Sequence, residues 1–314
     1  MSLSTLASVL GLALGFAPAP ATDGADAAPQ ANVWVRSGAR SWTRCQSYEV
    51  EAARRLVAGI PPGEERALLR EWRARVEACP QVPAALVLTA LLELANPPKI
   101  DPSIDFVDTL PELGLAFREQ RQRILHWIAA AEREAARRGE PVPEPARYIA
   151  AYASVGLDDP AAAARVQAAR EAAEFDAWRI DRLDAMVRLR EGDLAEALRL
   201  AHRSLSQATN SGRPASTYVL AMVLDRSGSI AAARSLLSKL RIRDARTLGG
   251  LESLLPLRER IYLMALDQEA RGHRAGAYTL WQAYLEVDGV EAPEREQVRR
   301  RLDELRPGPT FAGD

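Results

Sequence analysis

The sequence predicts an all-α protein, in which a solenoid of stacked helical hairpins follows a smaller helical domain. Three observations favour this class. Apolar residues recur at three- and four-residue steps through most of the chain, as on the buried face of a helix. Prolines and glycines cluster between those segments and so mark helix ends. A glycine and alanine spacing recurs in the second half at the length of a helical hairpin.

The composition is that of a soluble folded protein. The chain has 314 residues, of which 47% are hydrophobic and 26% are charged. Its 41 basic and 42 acidic residues are interspersed and give a net charge of -1. There is thus no global field that would attract nucleic acid or an anionic membrane surface, and we expect neither as a partner.

The first residues have the pattern of an export signal. Leu6–Phe16 is an uncharged apolar run too short to span a bilayer, and Ala19-Pro20-Ala21 fits a small-x-small cleavage site. We therefore expect a signal peptide over 1–21, a flexible leader over 22–40, and a periplasmic or secreted protein. No Lys or Arg precedes the apolar run, so an uncleaved tail or a misassigned start is the alternative.

An N-terminal helical domain is predicted over residues 41–140. Thr43 and Gln46 have the spacing of a capping box, which would start the first helix. The expected helices are 43–58, 64–78, 83–95 and 112–138, with an irregular connection over 96–111 and a junction after 138. In the last helix, one face carries Leu113, Phe117, Ile124, Ile128, Ala131 and Ala135.

The two cysteines lie on the apolar stripes of the first two helices. Cys45 and Cys79 are about 20 and 22 Å along the helices from the turn that joins them, at 1.5 Å per residue. In an antiparallel hairpin the two sulfurs would reach the same level, which predicts a disulfide. Two unpaired core cysteines in a reducing compartment are the alternative.

The repeat consists of a glycine followed five residues later by an alanine. Successive glycines are separated by 36, 36 and 44 residues, and the eight extra residues of the last interval are expected within 248–257. Each glycine would close a first helix in the left-handed conformation, and each alanine would allow a close helix crossing. The pairs are Gly156 and Ala161, Gly192 and Ala197, Gly228 and Ala233, and Gly272 and Ala277.

Residues 190–198 (REGDLAEAL) and 226–234 (RSGSIAAAR) resemble the tetratricopeptide repeat (TPR) at its central turn. The resemblance covers residues 143–291, although the early aromatic residue of each unit is mostly missing and the proline that ends each unit is absent. It implies a right-handed α-solenoid over 141–306, closed by a polar capping helix that ends near 306 and followed by a tail over 307–314.

The resemblance also implies a non-catalytic scaffold that binds a protein or peptide partner in a concave groove, here within a complex of the bacterial cell envelope. The side chains expected to face that groove are Arg182, Met186, Tyr218, Met222, Asp225, Tyr262, Leu266 and Glu269. The sequence does not indicate an oligomeric state.

No motif for catalysis, a metal or a cofactor is recognisable, so we expect none of these. His126, His202 and His273 are far apart, and two cysteines 34 residues apart do not make a zinc site. Two other functions stay open. One is an exported helical enzyme or ligand-binding protein with a site within 83–150, and the other is a cytoplasmic TPR adaptor.

Overall fold

The computed structural model describes residues 40–61, 63–98, 106–143, 145–172, 176–240, 254–287 and 292–306. Within these ranges the chain forms 13 α-helices and no strand, which confirms the all-α class. The predicted signal peptide over 1–21, nearly all of the predicted leader over 22–40 and the predicted tail over 307–314 lie outside the described residues.

The helices follow the predicted order along the chain. They are α1 (Arg40–Ala58), α2 (Glu65–Ala78), α3 (Pro83–Ala95), α4 (Phe106–Arg138), α5 (Pro145–Leu157), α6 (Ala162–Glu171), α7 (Ala177–Arg190), α8 (Leu194–Gln207), α9 (Arg213–Arg226), α10 (Ile230–Ser238), α11 (Leu257–Ala270), α12 (Arg274–Glu286) and α13 (Ala292–Leu305).

Two helix starts differ from the predictions. Helix α4 begins at Phe106 and not near 112, so it includes Pro111, which was assigned to an irregular connection. A proline in the second turn removes only one intrahelical hydrogen bond, and the long helix tolerates that loss. Helix α1 begins at Arg40, so Thr43 lies inside the helix and is not its N-cap.

The chain divides into two compact units. The first comprises Met1–Asn96 and Gln122–Ala150, and the second comprises Pro97–Arg121 and Ala151–Asp314. Helices α4 and α5 contribute residues to both units, whereas the sequence suggested one domain over 41–140 and another over 141–306.

In the first unit, α1 and α2 pack on α3. Every residue of α3 is buried, as its apolar sequence predicts. Cys45 and Cys79 form the predicted disulfide between α1 and the residue after α2, with Cα atoms 5.6 Å apart. The buried carboxylate of Glu93 lies on α3 and pairs with two half-exposed arginines, Arg73 of α2 and, at 3.7 Å, Arg123 of α4.

In the second unit, consecutive helices from α6 to α13 pack against one another. Three hairpins, α7–α8, α9–α10 and α11–α12, close in the same way. Gly192, Gly228 and Gly272 have φ values of 79°, 87° and 77°, and the next residue donates its N–H to the carbonyl five residues earlier. This is the Schellman closure of a helix. The alanines five residues after these glycines, at 197, 233 and 277, are fully buried.

Gly156 differs from the other three glycines. It lies inside α5, and the positive φ at this turn belongs to Asp158, at 59°. Gly156 is needed for space, because a Cβ there would lie 2.1 Å from Nε of Arg121. Ala161 is only half-buried, and the neighbouring Ala162 is buried instead. The predicted eight-residue insertion falls between α10 and α11, largely outside the described residues.

Candidate functional site

The eight side chains predicted to face a groove lie in the interior of the second unit. Seven of these residues are buried, with exposed fractions between 0% and 8%. Glu269 is half-buried as a residue, but its side chain is only 2% exposed. They come from the first helices of the three hairpins: Arg182 and Met186 on α7, Tyr218, Met222 and Asp225 on α9, and Tyr262, Leu266 and Glu269 on α11.

Two tyrosine–aspartate hydrogen bonds join α9 to α11 reciprocally. The hydroxyl of Tyr218 on α9 donates to Oδ1 of Asp267 on α11 at 2.9 Å. The hydroxyl of Tyr262 on α11 donates to Oδ2 of Asp225 on α9. Burial, and then the charge of the aspartate, raise the pKa of both tyrosines well above the ordinary value, so both hydroxyls stay protonated and act as donors.

Helix α13 adds a buried cation to this cluster. The guanidinium of Arg301 donates to Asp225 at 2.5 Å and lies 3.2 Å from Glu269, and the residue is only 4% exposed. Glu269 also accepts hydrogen bonds from Arg234 and from the indole N–H of Trp281. Burial lowers the pKa of Arg301, but the neighbouring carboxylates outweigh it and raise that pKa, so the guanidinium is charged. We call Tyr218, Asp225, Tyr262, Asp267, Glu269 and Arg301 the polar cluster.

Two more buried carboxylates lie outside the polar cluster. Asp181 on α7 is fully buried and links α6, α7 and α8, because it accepts hydrogen bonds from Arg170 at 2.8 Å and from Arg203. Glu259 on α11 lies 3.5 Å from Arg190 and 3.1 Å from Arg258. Burial raises the pKa of Glu259, but the surrounding arginines outweigh burial and lower it. Each of these interior carboxylates is therefore compensated by arginine.

These contacts tie the helices of the second unit to one another. Each of these carboxylates is buried and is paired with an arginine or accepts a tyrosine hydroxyl. Among the described residues, no group of three or more His, Cys, Asp or Glu side chains could hold a metal ion. The three histidines are exposed.

A pocket of about 410 Å³ lies elsewhere in the second unit. Its walls come from residues 111–121 of α4, residues 156–158 at the end of α5, residues 255–260 at the start of α11, and Val287. Leucine and proline side chains supply an apolar part of the lining. Four arginines and two carboxylates also line it: Arg118, Arg121, Arg258, Arg260, Asp158 and Glu259.

Arg121 and Glu259 are the most deeply buried charged residues that line this pocket, each at 1% exposure. Nη1 of Arg121 donates to the carbonyl of Phe117 at 2.9 Å, one turn earlier on α4. Its Nε and Nη2 are buried and have no hydrogen-bond partner. Burial, and then the positive charge of Arg260, lower the pKa of Arg121 to about 10, with an opposing effect of Tyr152. At neutral pH the guanidinium is still protonated.

Sequence reasoning named four members of the polar cluster as groove residues but missed Asp267 and Arg301. It also missed Arg121, although a signal was present. The apolar face of α4 has a seven-residue gap between Phe117 and Ile124, and Arg121 is the residue that fills it at helical spacing. An arginine within an apolar stripe marks a buried charge that needs an explanation.

Comparisons with protein-family models, with curated proteins and with solved structures found no match. No helix within the described ranges is both long enough and apolar enough to cross a membrane. The resemblance to tetratricopeptide repeats therefore rests on the residues of the chain itself.

Proposed function

We propose that the chain is a non-catalytic scaffold of the bacterial cell envelope, which binds a protein or peptide partner through a right-handed TPR-like solenoid. The observation that carries the proposal is the repetition of one hairpin. Hairpins α7–α8, α9–α10 and α11–α12 have the same glycine closure and the same buried alanine. Stacked repeats of this kind present extended surfaces that suit binding rather than catalysis.

The polar cluster gives the hairpins the rigidity that a binding surface needs. Its buried hydrogen bonds and ion pairs hold α9, α11 and α13 in one arrangement. A rigid surface binds with a smaller loss of conformational entropy. Because the eight predicted groove residues are buried, we assign them to the packed interior that holds the hairpins together. Partner contact is assigned to exposed residues of the hairpins.

Export is the second part of the proposal. The apolar run at 6–16 has the pattern of a signal peptide. The disulfide between Cys45 and Cys79 is compatible with an oxidising compartment. The mature protein is expected to begin after Ala21 and to be recovered from the periplasm. An intact Met1 on the native protein would contradict export and favour the cytoplasmic adaptor.

Site-specific photo-crosslinking in cells tests partner binding without changing the buried residues of the second unit. A photoreactive residue replaces Arg199 on α8, Ser235 on α10 or Gln282 on α12, all of which are exposed. Ser47 on α1, also exposed, is the matched control in the first unit. We expect a discrete heavier species in the envelope fraction from at least one hairpin position and none from Ser47.

Two results would contradict the proposal. One is the absence of a discrete species from all three hairpin positions in a chain that is exported and oxidised. The other is the same species from Ser47 in equal yield, because contact would then not depend on the hairpins.

A further inference from the structure

We propose that the pocket in the second unit binds an organic carboxylate, with Arg121 holding the carboxylate group and the leucine-rich wall holding an apolar substituent. This site is distinct from the partner surface described above, and it does not depend on it. One alternative from the sequence was a ligand site within residues 83–150. Part of the pocket lining, residues 111–121 of α4, falls in that range.

The buried guanidinium of Arg121 destabilises the fold as it stands. A buried guanidinium stabilises a fold only when its charge and its N–H groups are compensated. Two of the three side-chain nitrogens of Arg121 have no hydrogen-bond partner, and the third reaches only a backbone carbonyl. Among the ion pairs of the described residues, none joins Arg121 to an aspartate or glutamate. The positive charge of Arg121 therefore has no carboxylate counter-ion among the described residues.

The unpaired N–H donors of Arg121 have the geometry that a carboxylate requires. Nε and Nη2 form one edge of a guanidinium, and that edge matches the two oxygens of a carboxylate. Gly156 lies beside this edge and has no side chain. A Cβ at residue 156 would lie 2.1 Å from Nε, so glycine leaves space where any larger residue would press on the guanidinium.

The charged side chains around Arg121 do not neutralise it. The guanidinium of Arg260 lies 4.6 Å from the centre of the Phe117 ring, and that of Arg121 lies 5.1 Å from it. The two carboxylates of the lining are paired with Arg190, which lies 3.2 Å from Asp158 and 3.5 Å from Glu259. Neither carboxylate pairs with Arg121, so its charge stays uncompensated and the pocket attracts an anion.

The apolar wall of the pocket favours an organic acid over an inorganic anion. Leu115, Leu157, Leu255 and Leu257 line the pocket with Pro256. Leu115 is 58% exposed, more than the other leucines in the part of the chain that the structure describes. A volume near 410 Å³ lies within the range of small-molecule sites, about 300 to 1,000 Å³. An acid with a short aliphatic or aromatic substituent fits both parts of the lining.

Two sources can supply this chemistry, a free carboxylic acid and the C-terminus of a peptide with an apolar last residue. The test uses the full mature chain and isothermal titration calorimetry. The probes are hexanoate and octanoate, each compared with its neutral amide, and a short peptide ending in leucine, compared with its C-terminal amide. Sodium phosphate serves as the inorganic anion.

We expect one of the carboxylates to bind at least about tenfold more tightly than its matched amide, since hydrogen bonds to charged groups contribute that much. Tighter binding of the free acids would identify a small molecule as the source, and tighter binding of the peptide would identify a chain terminus. Equal binding of acid and amide, or phosphate binding as tight as that of any acid, would overturn the proposal.

Arg121→Met is the decisive variant, and Arg133→Met is its matched control, because Arg133 is an exposed arginine of the same helix that does not line the pocket. Removing an uncompensated buried charge is expected to leave the melting temperature equal or higher, so the variant remains folded. Carboxylate binding should fall about tenfold or more in Arg121→Met and change little in Arg133→Met. Unchanged binding in a folded Arg121→Met would overturn the assignment of Arg121.

Discussion

Asp225 is the residue on which the polar cluster depends most. It is fully buried, accepts the hydroxyl of Tyr262, and pairs with Arg301, which is only 4% exposed. Replacing Asp225 by alanine leaves a buried guanidinium with only the more distant Glu269 and leaves a buried hydroxyl without an acceptor. Breaking a buried pair in this way costs about 3 to 5 kcal/mol. We expect Asp225→Ala to lower the free energy of unfolding by that amount.

The assay is urea unfolding followed by far-UV circular dichroism. Because the chain has two compact units, a single transition is not assumed. Hydrogen exchange of peptides from α9 and α13 therefore reports the loss locally. Asp303→Ala is the control, since Asp303 lies on α13 and its side chain is 74% exposed. That variant should unfold at the same urea concentration as the unmodified chain.

A double variant separates the ion pair from simple damage to the core. Asp225→Leu combined with Arg301→Met removes both charges, and apolar replacement of a buried pair is often close to neutral. The double variant should lose less stability than the sum of the two single variants. Additive losses, or a loss in Asp225→Ala no larger than that in Asp303→Ala, would refute the role given to the cluster.

Three further predictions concern other parts of the chain. Replacing Cys45 and Cys79 by serine should cost about 3 to 4 kcal/mol in urea unfolding, from loop entropy over a separation of 34 residues; an unchanged midpoint would be inconsistent with a stabilising clamp. The pKa of Glu259 is lowered in the folded state, so its contribution is present above pH 4.5 and is lost as the pH falls through the folded value; Glu259→Gln should flatten that acid limb, and an unchanged limb would count against it. Gly192→Ala should cost about 1 kcal/mol, from its positive φ alone. Gly156→Ala should cost more, because its Cβ would collide with a guanidinium and a backbone carbonyl; equal losses would contradict the distinction.

The helices and the disulfide could be predicted because their causes are local. The predicted bounds of helix α3 agree with the observed ones, because Pro83 starts an apolar run that ends at Ala95. The cysteines could be paired because two helices of similar length meet at a short turn. Three of the four repeat glycines close helices as expected, since left-handed backbone at a helix end has a sequence signature.

The interior of the second unit could not be predicted in the same way. Tyr218 and Asp267 are 49 residues apart, and Asp225 and Arg301 are 76 apart. No local sequence pattern indicates that these polar residues contact one another. Charged side chains on a helix are usually exposed, so their burial was not expected. The pocket also depends on segments far apart in the chain, so only the arginine in the apolar stripe of α4 gave any indication of it.

Direct binding of the crosslinked partner is the measurement closest to the central claim. The partner identified through α8, α10 or α12 would be purified and titrated into the mature, oxidised chain by calorimetry. A scaffold predicts saturable binding that weakens when the residue that gave the crosslink, Arg199, Ser235 or Gln282, is replaced by glutamate. An absence of binding between the two purified proteins, or equal binding by the glutamate variant, would contradict the account.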